Sequence, residues 1–360
     1  MKLSSAQLVW IIVTEVCAII GVRISPAIAI SQQDTWISML AAGVIGAALT
    51  LFTVHLSMLN PGQTLTQFSR ALLGKWFGRI VVLPYLAAWY SFCTVILRDF
   101  TGFLQPILID RTPLWIMMLI IMGLMIYLTS TAGITGIGRL CQIVGPVIII
   151  TLVISFVLNA GHAKGHYLLP VFSDTGWISI VKGSLGPAIW LPGPYTLLVV
   201  VAFMRNPRKA LSSSLIGVGI TIVLALAATL MVLMVFGPNL AAKIRYPYFL
   251  YVRTVDILDF IQNMDIFFMF IWIFGVSAQL SLLLFVASHE SAQWFKAKSW
   301  RKFMWFSAPA IYAMALLIPD ETGFEAYYNF GLYVVFPICG IAIPLLLWIV
   351  TLFRRKSVAT

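Results

Sequence analysis

"CAIIGVRISPAIAI", residues 17–30, lies inside the first long apolar run of a chain of 360 residues. Within this run stand a glycine, an arginine and a proline, at Gly21, Arg23 and Pro26. Glycine loosens a helix and proline removes one of its backbone donors. An arginine inside lipid is costly unless it finds a partner or water. The stretch therefore predicts a membrane-spanning helix that is interrupted near its middle.

The composition of the chain predicts a polytopic, all-α membrane protein. Hydrophobic residues make up 61% of the sequence and charged residues only 10%, which excludes an ordinary soluble globule. A spanning helix needs about 20 mostly apolar residues. Ten runs meet this requirement, at approximately 8–30, 36–58, 80–108, 113–130, 142–159, 177–203, 210–236, 265–289, 303–318 and 330–353.

The net charge of +11 is distributed by topology. If the N-terminus is inside, 15 of the 23 basic residues fall on the inner side and six on the outer side, with Arg23 and Arg98 within spans. Basic residues concentrate on the cytoplasmic side of membrane proteins. The sequence therefore predicts ten spans with both termini cytoplasmic, and nucleic acid is not an expected partner.

The sixth run repeats the interruption of the first. It reads "IVKGSLGPAIWLPGPYTLLVVVAF" and carries glycine and proline at six positions near its middle, Gly183, Gly186, Pro187, Pro192, Gly193 and Pro194. Matched interruptions in two halves are typical of inverted-repeat transporters and mark their binding site. We therefore expect a 5+5 inverted repeat in one membrane domain, residues 1–160 and 161–353, with a tail at 354–360. Two plain kinked helices are the alternative.

Two connections carry helical patterns of their own, at equivalent places in the two halves. After the second span, a stripe recurs at helical spacing beyond an Asn-Pro-Gly turn, formed by Leu65, Phe68, Leu72 and Trp76. After the seventh span, a second stripe follows Gly237-Pro238, formed by Phe249, Val252, Val255 and Leu258. Each stripe predicts a helix lying along the membrane surface, the first inside and the second outside.

An unwound stretch in the first span would expose backbone groups that hold the charged head of a small solute. Arg23 would then line a central pocket and meet a ligand carboxylate, for which its planar fork is suited. A permanent ion pair with Asp99, or extension of the side chain to the outer interface, is the alternative. Arg98 and Asp99 are candidates for coupling or gating, with simple pairing at the interface as the alternative.

Other polar side chains within spans are candidate ligand contacts. The third span offers hydroxyls at Tyr90, Ser91 and Thr94, and the eighth offers Ser277 and Gln279. Such groups also bond to backbone within their own or a neighbouring helix, and that alternative stays open. Glu15, below the interruption, is a candidate proton-coupling carboxylate, a gate partner for a basic residue, or an interfacial acid.

No pattern indicates an enzyme, a metal site or a cofactor. The four histidines are scattered and lack partners at zinc-ligand spacing. The four cysteines fall inside spans and are expected to pack as small apolar residues. No phosphate-binding glycine loop is followed by a lysine. The sequence predicts no catalytic residue.

Four segments carry a family resemblance over nearly the whole length. They are "QQDTWIS" between the first two spans, "PGQTLTQFSRALLGKWFGRI" after the second, "LLPVFSDTGW" before the sixth and "YPYFLYVRTVDILDFIQNMDIFFMFIWI" leading into the eighth. With these segments, the chain resembles the B subunit of bacterial spore germinant receptors. These proteins form the endospore germination permease family of the amino acid–polyamine–organocation superfamily.

The resemblance implies a leucine-transporter-type fold in the spore inner membrane. It also implies assembly with an A subunit and a C-subunit lipoprotein into a receptor for a small nutrient. The implied pocket lies between the broken first and sixth spans, with the third and eighth. The residues that the resemblance implies from the first span are Gly21, Val22, Arg23, Ile24 and Ser25. Those that it implies from the sixth span are Gly186, Pro187, Trp190, Gly193 and Tyr195.

One departure from the family pattern bears on the ligand. Many relatives have an acidic residue in the sixth-span break and a basic one in the eighth span, whereas "LPGPYTLL" and "VSAQLSLL" have neither. An apolar amino acid or an uncharged nutrient is therefore expected. The leading hypothesis is a nutrient-sensing receptor subunit. The alternatives are a proton- or sodium-coupled amino acid transporter and an ion or water conduit gated by partner subunits.

Overall fold

The computed structural model of the chain describes residues 2–20, 24–108, 110–172, 175–190, 195–254, 264–318 and 321–358. Over these ranges the protein is helical, and its single isolated β-bridge joins Leu3 to Met204. The first half contains α1 (Ser5–Ile20), α2 (Ser25–Ser31), α3 (Thr35–Leu59), α4 (Leu65–Leu108) and α5 (Leu114–Leu158). The second half contains α6 (Gly176–Trp190), α7 (Leu197–Val200), α8 (Ala210–Ala241), α9 (Pro247–Arg253), α10 (Met264–Phe295), α11 (Trp300–Leu316), α12 (Glu321–Phe330) and α13 (Ile343–Val358), with a π-helix at Gly331–Ala342 between the last two.

The first and sixth spans are both broken, as the sequence predicts. Ile24 lies outside a helix, and α2 begins after it at Ser25, with proline in its first turn. Tyr195 and Thr196 form a turn, and α7 begins after them at Leu197. Proline fits the first turn of a helix because the donor that it lacks has no partner there anyway. Pro26, which the sequence predicts to interrupt the first span, therefore lies in the first turn of α2.

Glycines divide three of the long helices. Gly74 in α4, Gly133 in α5 and Gly237 in α8 have φ of 83°, 55° and 71°, which other residues rarely adopt. The kink at Gly133 splits the 45 residues of α5 into the fourth and fifth spans. Six helical segments are individually long and apolar enough to cross a membrane. The two broken spans, the separate parts of α5 and the shorter α11 are the remaining candidates for the ten expected spans.

Helix α4 begins with the predicted surface helix. Leu65, Phe68 and Leu72 are buried, so this part of the stripe is confirmed. Trp76 is 79% exposed, and its place on the stripe was predicted wrongly. The reason is the turn at Gly74, which reverses the chain before Trp76 and ends the periodicity.

The second surface helix is α9. Phe249 and Val252 are buried on it, as predicted, whereas Val255 and Leu258 lie outside the described residues. The hydroxyl of Tyr251 donates to the carbonyl of Ser155 at 2.9 Å, which fixes α9 to the end of α5.

The core is built around α4 and α10. Trp89, Tyr85 and Phe100 of α4 are at most 1% exposed, and almost every residue of α10 from Val276 to Ala292 is buried. Cys93, Cys141 and Cys339 are buried as the sequence predicts. A helix that is buried all round lies at the centre of a bundle. Any pocket between the broken helices and these two therefore lies deep in the protein.

Candidate functional site

The two broken spans are joined to each other below their breaks. The N–H of Leu3 donates to the carbonyl of Phe203 at 2.7 Å, and the N–H of Arg205 donates to the carbonyl of Leu3 at 2.9 Å. Higher up, the hydroxyl of Thr196 donates to the carboxylate of Glu15 at 3.4 Å. The segment before α1 and the segment after α7 therefore form one closed unit on this side of the protein.

The halves above the breaks are joined by a different set of contacts. The carboxylate of Asp34, fully buried, accepts hydrogen bonds from the backbone N–H of Phe172 at 3.1 Å and from the hydroxyl of Thr175. The hydroxyl of Ser38 donates to the carbonyl of Ile180 in α6 at 2.9 Å. The segments "QQDTWIS" and "LLPVFSDTGW" are thus in direct contact, although more than 130 residues separate them.

An aromatic cavity lies beside the break of the sixth span, between α4, α6 and α12. The space is narrow, with about 10 Å³ of room for the centre of a water-sized sphere. Ser91 and Trp190, two predicted site residues, line it together with the side chains of Tyr327, Tyr328 and Phe330. None of its lining residues is charged. The cavity therefore suits an uncharged, apolar group.

Gly186 packs against Tyr328, whose side chain lines this cavity. A Cβ atom at this position would overlap the hydroxyl of Tyr328. A larger residue here would therefore require the Tyr328 side chain to shift. Gly186, a predicted site residue, thus has a packing role. Pro187, also a predicted site residue, follows it within α6.

Tyr195 lies just after the break of the sixth span. Its carbonyl accepts a hydrogen bond from the indole of Trp89 at 2.9 Å. Its ring packs edge-on against Phe92, with the centroids 5.0 Å apart. The hydroxyl of Tyr195 is buried and has no hydrogen-bond partner among the described residues.

Unpartnered polar atoms occur on the third, sixth and eighth spans. Within the described part of the chain, no hydrogen-bond partner is found for four buried atoms of predicted site residues, Thr94 Oγ1, Tyr195 OH, Ser277 Oγ and Gln279 Oε1. These side chains are at most 4% exposed. Helices α4 and α10 meet at this level, where the thiol of Cys93 lies 3.9 Å from the carbonyl of Leu280. A buried polar atom without a partner costs roughly 1–3 kcal/mol, so a ligand that satisfies it recovers that cost.

Tyr90 lies apart from these residues. Its hydroxyl is 2.6 Å from that of Ser307 in α11 and 3.3 Å from that of Ser291 in α10. It therefore joins three helices through neighbouring hydroxyls and does not line the aromatic cavity.

Arg98 and Asp99 lie at the outer end of α4. The guanidinium of Arg98 donates to the carbonyl of Ile318 at 3.0 Å. Asp99 forms an ion pair with Arg245 at 3.5 Å and accepts from the hydroxyl of Tyr246 at 3.4 Å. Asp99 therefore links α4 to the segment before α9, a partner that spacing along the sequence does not suggest.

The break of the first span is described only in part. Ile24 and Ser25 are buried, and the hydroxyl of Ser25 donates to the carbonyl of Arg245 at 3.3 Å. The start of α2 is thereby placed next to the Asp99 ion pair. The predicted site residues Gly21, Val22, Arg23 and Gly193 lie outside the described residues.

Sequence reasoning missed the contribution of α12. The tenth apolar run was predicted to start at residue 330, whereas α12 begins at Glu321. Tyr327 and Tyr328 were therefore assigned to a loop, although both line the cavity. The polar residues before them hide the helix, but two adjacent tyrosines so close to a span were a usable signal. Among the described residues, no group of three or more His, Cys, Asp or Glu side chains could hold a metal ion.

The chain resembles known spore germination proteins along most of its length. The family model described as "Spore germination protein" matches residues 2–324. Spore germination protein YndE of Bacillus subtilis is 24% identical and is covered over 99% of this chain and 98% of its own length. Spore germination protein KB of the same species is 23% identical, over 90% of this chain and 88% of its own. Spore germination protein XB of Bacillus anthracis is 25% identical, over 71% of each.

A solved structure shares the fold. It is the crystal structure of MhsT in complex with L-phenylalanine, with a TM-score of 0.63 and 15% identity, covering 95% of this chain and 89% of MhsT. MhsT is a transporter with the leucine-transporter-type fold. The chain described here therefore has that fold.

Proposed function

Since the chain belongs to the spore germination protein family, we propose that it is the membrane subunit of a spore germinant receptor that binds a small nutrient between its broken spans. The observation that carries this proposal is the set of buried polar atoms without partners on the third, sixth and eighth spans, at Thr94, Tyr195, Ser277 and Gln279. A ligand bound between these spans would satisfy those of the atoms that face it.

The ligand class follows from the walls of the site. The aromatic cavity has no charged lining residue, and its walls are formed by rings such as Phe92, Trp190 and Tyr327. We propose that an apolar amino acid binds here, with its polar head at the breaks and its side chain against the rings, which would have to move apart to admit it. The L-phenylalanine held by MhsT is a ligand of this kind.

The ligand would act by favouring one arrangement of the two broken spans. A ligand shifts an equilibrium only by its difference in affinity for the two states. The contacts of Leu3 with Phe203 below the breaks, and of Asp34 with Phe172 above them, tie the two spans together on both sides. A group bound between them therefore alters the position of both spans at once.

The signal would pass to partner proteins. The connections between the described helices are short and hold no soluble signalling module within the described ranges. We propose that the partners are the A subunit and the C-subunit lipoprotein of the receptor, in the spore inner membrane. The distribution of basic residues supports cytoplasmic termini.

The test is ligand-dependent thermal stabilisation of the purified chain against a panel of amino acids and nucleosides. We expect an apolar amino acid to raise the melting temperature, and Ser277→Ala together with Gln279→Leu to abolish the rise. Ser212→Ala, an exposed change in α8, is the matched control and should leave the rise intact. If no compound on the panel stabilises the chain, or if the paired variant responds like the control, the proposed pocket is wrong.

One observation favours a second function, a proton- or sodium-coupled amino acid transporter. Glu15 is 6% exposed, and the hydroxyl of Thr196 donates to it across the two broken spans. Ionisable residues inside spans often mark ion or proton pathways. Counterflow uptake of a labelled amino acid into proteoliposomes would reveal transport. Uptake that is lost in Glu15→Gln while ligand stabilisation persists would favour the transporter, and absence of uptake in the unchanged chain would exclude it.

A further inference from the structure

A cluster of basic side chains gathers where the chain reverses before the third span. The surface helix at the start of α4 ends at the turn of Gly74, and the span then begins. The two arms touch, since a Cβ atom on Gly78 would lie 2.5 Å from the carbonyl oxygen of Ser69 and 2.6 Å from the Cα of Arg70. The reversal therefore gathers Arg70, Lys75 and Arg79 at one place, which we call the basic corner.

A fourth basic residue reaches the same place from the end of the chain. The guanidinium of Arg354 in α13 donates to the carbonyl of Ala71 at 2.6 Å. This carbonyl belongs to the last turn of the surface helix, where the negative end of the helix dipole favours a cation. The basic corner is thus assembled from two ends of the sequence.

The acid on this side of the protein does not neutralise the corner. Glu290 is the one acidic residue that the sequence assigns to the inner side outside the spans. Its side chain is fully buried, and its carboxylate accepts from the N–H of Thr66 at 2.9 Å and contacts the His289 ring at 3.0 Å. Glu290 therefore serves the start of the surface helix, while Lys75 of the corner is exposed.

Arg79 is held in place by Trp294, and its Nε donor has no acceptor among the described residues. The indole of Trp294 donates to the carbonyl of Arg79 at 3.0 Å, and the guanidinium lies 5.9 Å from the centre of the Trp294 ring. The Nε atom of Arg79 is buried and has no acceptor among the described residues. A buried donor of this kind is costly unless an acceptor satisfies it. Phosphate oxygens are well suited to an arginine.

Apolar side chains stand beside the basic corner. Trp76 is 79% exposed, Phe77 71% and Ile80 57%. Aromatic residues and basic residues together are typical of the boundary between hydrocarbon and head groups. A soluble acidic protein would contact the basic side chains of the corner but would not contact Trp76, Phe77 and Ile80. A phospholipid offers both a phosphate and acyl chains.

We propose that the basic corner binds the phosphodiester head group of an anionic phospholipid, whose acyl chains lie along Trp76, Phe77 and Ile80. The general bias of membrane proteins toward basic residues on one side does not account for the convergence of four such residues, nor for the unsatisfied Nε of Arg79. The lipid would hold the surface helix, the third span and α13 together.

The experiment measures lipid binding to the delipidated full chain in detergent by native mass spectrometry. Phosphatidylglycerol, phosphatidylcholine and inorganic phosphate are the three probes. The variant Arg70→Gln with Lys75→Gln removes two charges for which the structure gives no hydrogen bond or ion pair within the described residues. The matched control, Lys296→Gln with Lys298→Gln, removes two exposed charges of the same side outside the corner. Arg79→Lys keeps the charge but removes the Nε donor.

We expect phosphatidylglycerol to bind in preference to phosphatidylcholine, and inorganic phosphate not to compete. A basic residue near an anionic surface contributes roughly fivefold, so the first variant should weaken binding by roughly thirtyfold. The control should change it little, and Arg79→Lys should weaken it although the charge is kept. Equal losses in the variant and the control, or equal binding of both lipids, would overturn the proposal. Competition by inorganic phosphate would indicate an anion site without lipid, and would also overturn it.

Discussion

Replacing Thr94 by valine should separate ligand binding from stability. Thr94 is fully buried in α4, and its hydroxyl has no hydrogen-bond partner in the described part of the chain. Valine has nearly the same shape, so the change removes an unsatisfied group and creates no cavity. Because such a group costs about 1–3 kcal/mol, the ligand-free protein should be equally stable or more stable by about 1 kcal/mol.

The ligand response should change in the opposite direction. One hydrogen bond contributes about 0.5–1.5 kcal/mol, so Thr94→Val should weaken ligand affinity roughly threefold to tenfold. A ligand at 100 times its dissociation constant stabilises a protein by about 2.7 kcal/mol. At that concentration, the variant should lose roughly 1 kcal/mol of the stabilisation.

Thermal unfolding followed by tryptophan fluorescence, with and without the amino acid, measures both quantities. Thr101→Val is the matched control, because Thr101 is equally buried in α4 but its hydroxyl donates to the carbonyl of Leu97 at 2.7 Å. The control should lose stability and keep its ligand response. A Thr94→Val protein that is less stable than the unchanged chain, with an unaltered ligand response, would refute the reasoning.

Two further changes test the contacts around the site. Gly186→Ala should cost about 1–3 kcal/mol of unfolding free energy, because its Cβ overlaps the hydroxyl of Tyr328. Adding Tyr328→Phe should restore part of this loss in a denaturation experiment, and an additive loss would contradict the clash. Asp34→Ala should cost about 1.5–3 kcal/mol, since it removes the acceptor for the N–H of Phe172. Limited proteolysis should then cleave near Phe172 faster than in the unchanged chain, and equal rates would argue against this anchoring role.

The breaks in the spans could be predicted from the sequence because they depend on local chemistry. Proline and glycine disfavour a continuous helix, so Pro26 and the glycine and proline cluster of the sixth run indicate interrupted spans, although Gly183, Gly186 and Pro187 themselves lie within α6. The family resemblance is likewise confirmed, since it depends on four segments in a fixed order. These features do not require knowledge of how distant helices pack.

The contacts across the fold could not be predicted in the same way. Asp99 pairs with Arg245, which is 146 residues away, and no periodicity along the chain specifies that distance. Tyr90 and Ser91 are neighbours in sequence, yet one faces Ser307 and the other faces the aromatic cavity. Adjacent residues on a helix point about 100° apart, so the composition of a patch does not reveal which member faces a site.

The sequence also failed at the boundary of the tenth span. A search by hydropathy finds only the most apolar part of a helix, and the turns of α12 before Phe330 are too polar to be found in this way. The missed turns carry Tyr327 and Tyr328, which line the cavity. Helical turns that border a cavity are expected to be more polar than turns that face lipid.

The pairing of Leu3 with residues 203–205 has a practical consequence for experiments on this protein. The two hydrogen bonds of Leu3 fix the segment before α1 to the segment after α7. A label or affinity tag attached close to Leu3 would crowd this pairing and disturb both broken spans at once. Absence of uptake or of ligand binding in such a preparation would then report on the tag, so each assay should be repeated with the tag at a second position.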